Sequence, residues 1–250
     1  MEHPNRVFRI SKSGVRVYLK PEFHPILKET DLSHTDVVRK AKELFGKRYG
    51  AVSGLPRICS KNSEDAMTWG HFSPLLSTSP EDKKNWLEAF LQESLGHELN
   101  PNLVKTLPTA ELLFWRGKKA EPMYCPPCNL GYPETNTEVD LTILTEKAVI
   151  FVEAKYKSEV SIRTTHCQNR DQIIRNIDVG TYYAWKKGQD FYFILVTSPD
   201  CKKSEKLFQL YQNNPQNIAE RLPHRTDIPH KLEEIVSNLG MATWDQLSKI

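Results

Sequence analysis

The chain has 250 residues, 39% of them apolar, enough to bury one substantial core or one core with an appended subdomain. No apolar run approaches the roughly 18 residues needed to cross a bilayer, and the opening MEHPNRVFRI lacks the apolar segment of a secretory signal; the expectation is a soluble, cytoplasmic protein without membrane partners. The formal charge is only +3, but it is segregated: residues 1–62 hold 13 Lys or Arg against 6 Asp or Glu, and residues 155–206 hold 10 against 6, so basic regions flank an acidic middle. That distribution suits a phosphate backbone gripped beside an acidic, cation-binding centre.

Residues 1–62 read as a basic, mostly helical front region. DVVRKAKELFGKRYG carries helical spacing through Val37, Ala41, Leu44 and Phe45 before Gly46. Ser63 can cap a helix running through Glu64, Trp69, Phe72 and Leu76, and Ser79-Pro80-Glu81-Asp82 starts a second that should end near Gly96. Its apolar positions Trp86, Leu87, Phe90, Leu91 and Leu95 share a face and should meet the core.

The period then changes. ELLFWRG at 111–117, TEVDLTIL at 137–144 and KAVIFVEAKY at 147–156 are rich in the β-branched and aromatic residues that strands favour. A helix is expected from about His166 to Val179, carrying Ile173, Ile174 and Ile177, and DFYFILVT at 190–197 reads as a buried strand. Residues 207–250 read as short helices broken at Pro215, Pro223 and Pro229, with Trp244 able to pack back on the core.

Strand geometry points to a site. Side chains alternate faces, so Val149, Phe151, Glu153 and Lys155 share one face, while Ile150, Val152 and Ala154 take the other. If Glu146 and Lys147 are the central residues of a tight turn, Thr145 faces Ala148, and the register places Asp140 opposite Glu153 with Cβ atoms about 4.5–5.5 Å apart. Glu146-Lys147 lacks the Asn-Gly or Gly signature of such a turn, so a longer loop stays open. Two facing carboxylates repel unless a cation or a shared proton lies between them. Magnesium accepts one or two carboxylates and keeps further positions for water and substrate phosphate, so Asp140, Glu153 and the Ala154 carbonyl form a half-shell. Lys155 can orient or help deprotonate an attacking water and stabilise developing charge. Phosphodiester hydrolysis is the chemistry these parts suit; the alternative is a surface ladder of charges with an ordinary ion pair.

With T-E-V-D at 137–140, V-E-A-K at 152–155 and the order α-β-β-β-α-β, the chain resembles the PD-(D/E)XK nuclease superfamily over about residues 63–197. The resemblance implies an α/β, restriction-endonuclease-like core with a mixed central sheet over residues 63–206. Residues 1–62 and a helical extension at 207–250, packed on the core, would be additions to it. It implies Asp140 and Glu153 as ligands of Mg2+ or Mn2+, Lys155 as the catalytic lysine, and Glu64 as a further acid from the upstream helix. Gln168, Gln172 and Arg175 fit the polar face of the following helix, and Arg163, Arg170, Lys186 and Lys187 are expected to hold the DNA backbone. One departure is that Val139, not proline, precedes Asp140. The expected activity is metal-dependent hydrolysis of DNA, in restriction, phage defence or mobile-element processing, by a homodimer or a subunit of a larger nucleic-acid-processing complex. A nuclease-like module that binds DNA or protein without cutting is the alternative.

The five cysteines, an odd number thinly spread, argue for reduced thiols rather than a disulfide framework. Cys125-Pro-Pro-Cys128 has the spacing of half a zinc knuckle, but no second C-x-x-C or H-x-x-x-H follows, so it reads as a proline-stiffened loop; a zinc-stabilised interaction protein, with distant partners such as Cys167, Cys201 or His166, is the further alternative. The absence of a Gly-rich phosphate loop gives no sign of ATP-driven chemistry.

Overall fold

The computed structural model describes residues 7–10, 14–18, 23–40, 60, 62–163 and 167–250, in two compact units, Met1–Ser77 and Thr78–Ile250. In the first unit, β1 (Phe8–Ile10) and β2 (Arg16–Tyr18) form an antiparallel hairpin, with Phe8 opposite Tyr18. The described part of the front region is therefore not mostly helical. Its short strands carry Arg and Tyr beside apolar residues, and three-residue strands are too short for a periodicity to be read. A helical segment covers residues 35–40; Ala41, Leu44 and Phe45 of the expected helix lie outside the described residues. Helix α1 (Glu64–Phe72) starts at Ser63, whose hydroxyl accepts from the Ala66 N–H at 3.1 Å, and it tightens into a 3-10 turn at Ser73–Leu76.

In the second unit, α2 (Pro80–Leu95) begins at the Ser79 cap and ends where Gly96 adopts the left-handed conformation at φ 73°, which costs a residue without Cβ little. A short helix, α3 (Pro101–Val104), leads to the sheet. The sheet is five-stranded in the order β3 (Glu111–Arg116), β4 (Val139–Leu144), β5 (Ala148–Ala154), β6 (Asp190–Thr197), β7 (Leu239–Thr243). β3, β4 and β5 are antiparallel neighbours, whereas β5–β6 and β6–β7 are parallel, so the sheet is mixed.

Every residue of β5 is buried, as expected of a central strand covered on both faces. On one face Val149, Phe151, Phe193 and Leu195 join Ile173, Ile174 and Ile177 of α4 (Gln172–Trp185) and Phe208 of α5 (Lys202–Asn213) in a single apolar cluster. A methyl on Gly180 would fall 2.0 Å from the Phe191 ring, so the bare backbone there lets α4 sit close on the sheet. Helix α2 lies against β7. The chain closes with α6 (Gln216–Arg221), α7 (Leu232–Ser237), β7 and the one-turn α8 (Trp244–Leu247).

Two expected elements are corrected. The helix placed at about His166–Val179 runs over Gln172–Trp185 instead. Its start is set by Asp171, whose carboxylate accepts from the Ile174 N–H at 3.0 Å, while Gln168 lies in the turn before it. The C-terminal stretch is not helical throughout, because Leu239–Thr243 completes the sheet by pairing with β6, Phe193 opposite Leu239. LGMAT has weak strand propensity, and the pairing is supplied by a neighbour far away in sequence.

Candidate active site

The β4–β5 turn sets the geometry. Thr145 N–H donates to the Ala148 carbonyl at 2.9 Å, and the Thr145 hydroxyl accepts from the N–H groups of Lys147 and Ala148 at 3.1 and 2.8 Å. That side chain satisfies donors inside the turn, and neither Glu146 nor Lys147 takes a positive φ, so the glycine signature is not required here. The register is the one expected: Leu144 pairs with Val149 and Leu141 with Val152. Regular pairing stops there, one residue short of Asp140 and Glu153, which neighbour each other at the strand ends with Glu153 on the side covered by α4.

Asp140 is half-buried, and its Oδ2 accepts from the Ala154 N–H at 2.9 Å. In a strand the carbonyl of a residue points to the same edge as its N–H, so the Ala154 oxygen shares the edge that meets Asp140. Glu153 is 1% exposed. Its Oε1 accepts from Lys155 Nζ at 2.7 Å and Gln172 Nε2 at 2.6 Å, and its Oε2 from Asn176 Nδ2 at 2.8 Å. Burial raises the Glu153 pKa, the Lys155 ammonium opposes this, and the nearby Asp140 charge adds to it, leaving the carboxyl pushed up to about 7. Lys155 continues β5, its N–H donating to the Val196 carbonyl at 2.8 Å; its own carbonyl accepts from Trp244 Nε1 at 3.0 Å and Ser198 N–H at 3.2 Å. The ends of β5, β6 and β7 thus hold the backbone that carries the lysine.

The other sequence-selected residues divide. Gln172 lies at the site, with its carbonyl oxygen accepting from the Ser161 N–H at 3.1 Å. Arg175 turns to the segment before β4, donating to the Thr135 carbonyl at 2.7 Å beside Glu134 at 3.5 Å. Arg170 does not present itself to a phosphate: it is 1% exposed and bonded to Glu134 at 3.0 Å and Asp178 at 2.8 Å. A guanidinium enclosed by two carboxylates ties α4 to the segment leading into β4, and a linear pattern of charges cannot reveal that. Lys186 and Lys187 are exposed just past the far end of α4, stacked on Tyr182 and Tyr183, on the order of 20 Å along the helix from Gln172. They do not join the Glu153 cluster. Arg163 and Gln168 are exposed in the loop before α4. Glu64 opens α1 in the first unit, whereas Asp140, Glu153, Lys155, Gln172 and Asn176 belong to the second.

Sequence reasoning missed Asn176 and Glu134, and it read Trp244 as core packing without its bond to the Lys155 carbonyl. Asn176 carried a legible signal, because Gln172 and Asn176 are four apart and therefore share a helix face. The Trp244 bond and Glu134 carried none, since each acts across a long loop closure. Cys125 and Cys128 are exposed, with Cys128 Sγ 3.9 Å from the Tyr182 hydroxyl.

Among the described residues, no three or more His, Cys, Asp or Glu side chains gather as a metal site, so Asp140 and Glu153 stand as a pair. The pair fits a hard divalent cation, which needs only one or two carboxylates from the protein. A carboxylate destabilised by burial, and further by the nearby Asp140 charge, is a place where a cation is favoured. Compared with known protein families, curated proteins and solved structures, the chain matches none, so the functional reading rests on this geometry and on the sequence pattern.

Proposed function

We propose that this protein is a metal-dependent nuclease that hydrolyses DNA phosphodiester bonds, with a core of the PD-(D/E)XK type. The observation that carries the reading is the convergence of Asp140, Glu153 and Lys155 at the ends of two adjacent strands, with Glu153 bonded to Lys155 at 2.7 Å. The reading is supported by a mixed sheet in which α2, the antiparallel β3–β4–β5 run, α4 and the parallel β6 occur in that chain order. In this reading Asp140, Glu153 and the Ala154 carbonyl hold Mg2+ or Mn2+. The bound cation supplies a lowered pKa for water and shielding of the phosphate charge. Lys155 orients the attacking water and stabilises the charge that builds on the phosphoryl oxygens. Trp244 and Ser198 fix the lysine's backbone, and α4 closes over the carboxylate.

One observation favours a second reading, a nuclease-like module that binds without cutting: both Glu153 oxygens already accept hydrogen bonds from protein donors. Incubating the purified protein with supercoiled plasmid and with single-stranded DNA, first with Mg2+ and then with chelator, separates the two. Cleavage that requires the metal supports the nuclease; binding to DNA without cleavage at any metal concentration supports the module.

A further inference from the structure

We infer that Asn176 is a positioning residue for the metal ligand Glu153, holding its carboxylate in the orientation a bound divalent cation requires; this rests on the metal-dependent reading above. Asn176 is 1% exposed and sits one helical turn beyond Gln172 on α4. The two amides divide the carboxylate, Gln172 Nε2 donating to Oε1 at 2.6 Å and Asn176 Nδ2 to Oε2 at 2.8 Å. With Lys155 Nζ also on Oε1, Asn176 is the residue given a bond to Oε2, and without it that oxygen could rotate.

The rest of the Asn176 amide adds a second observation. Its Oδ1 is buried and has no hydrogen-bond partner among the described residues, although an unpaired buried acceptor costs about 1–3 kcal/mol. An amide retained for packing alone would be better replaced by an apolar side chain. An amide whose donor end is committed to Glu153 would have its acceptor end left for a water brought by the cation. Ligand-orienting groups of this kind commonly change metal affinity by about 10–100-fold when removed.

The test is calorimetric titration of Mn2+ into wild type, Asn176→Ala and the near-isosteric Asn176→Leu, with thermal unfolding in chelator as the control for folding. The expected result is a dissociation constant raised about 10–100-fold in both variants, matched by the half-saturating metal concentration for cleavage, with KM for DNA unchanged. Folded variants that bind Mn2+ as tightly as wild type would overturn the inference while leaving the metal reading in place. A wild type that binds no Mn2+ would overturn both. Should neither variant fold, Mg2+ titration of the wild type followed by NMR decides. The Asn176 side-chain amide signals should move with those of Ala154; an unmoved Asn176 amide would contradict the proposal.

Discussion

The Asp140 carboxylate accepts a hydrogen bond from the Ala154 N–H at 2.9 Å, and Ala154 is the residue between Glu153 and Lys155. One oxygen of the first acid is thereby committed to the backbone that carries the second acid and the lysine. The three functional groups are held in fixed relation by the edge of β5 itself. Asp140→Asn keeps an acceptor for that N–H but removes the charge. It is expected to leave the unfolding midpoint within a few degrees of wild type while lowering kcat by at least about 100-fold, comparable to losing one preorganised electrostatic group. Steady-state cleavage rates and thermal unfolding on the same preparation check this.

The raised pKa of Glu153 predicts a pH dependence of metal binding. Native Glu153 keeps its proton to about 7, while the unfolded chain releases it near the ordinary glutamate value of 4.5. The native state therefore binds more protons in that window, and this group's contribution to stability is present below about 4.5 and lost as pH rises through about 7. A divalent cation binds the ionised form, so the rise in unfolding midpoint on adding Mg2+ should be small at pH 5.5 and larger at pH 8. A shift of equal size at both values would place the metal elsewhere.

Trp244→Phe removes the indole N–H that reaches the Lys155 carbonyl and keeps most of the buried ring. Since Ser198 still donates to that oxygen, the stability loss should be modest, about 1 kcal/mol. Cleavage should fall more than stability does, because the lysine's backbone is released on one side. Activity equal to wild type would show that the C-terminal strand and helix do not align Lys155.

Arg170→Met should act on stability rather than on DNA binding. Removing the guanidinium takes from Glu134 its bidentate partner, while Asp178 keeps Arg225 and His224 at 2.9 Å, so the loss should lie below the about 3–5 kcal/mol of a buried charge left wholly unpaired. The salt dependence of DNA affinity should be unchanged in whatever fraction folds. A reduced salt slope, measured by fluorescence anisotropy, would mean that Arg170 contacts phosphate after all.

The β4–β5 register was readable because both strands are long, apolar and joined by a tight connection, so fixing Thr145 opposite Ala148 made Asp140 and Glu153 neighbours at the strand ends. The turn succeeded with residues that propensity disfavours because the Thr145 hydroxyl accepts bonds that turn geometry alone would leave unsatisfied. The α4 boundary was displaced because apolar spacing fixes a helix's face but not its first residue, which here is decided by the Asp171 cap. β7 was illegible for a different reason. Leu239–Thr243 becomes a strand only because β6 presents an unpaired edge, and Trp244 reaches Lys155 only through that docking. Arg170 shows the limit for charge: a basic residue in a basic region reads as a surface contact until its two buried acids are seen.

The most direct test of the central claim is cleavage of plasmid DNA by Lys155→Ala beside wild type, in Mg2+ and in chelator, with DNA affinity measured for both. Cleavage by wild type that chelator abolishes, together with loss of cleavage but retention of most DNA binding in the variant, is the predicted result. Full activity in Lys155→Ala would contradict the assignment of the chemistry to Asp140, Glu153 and Lys155.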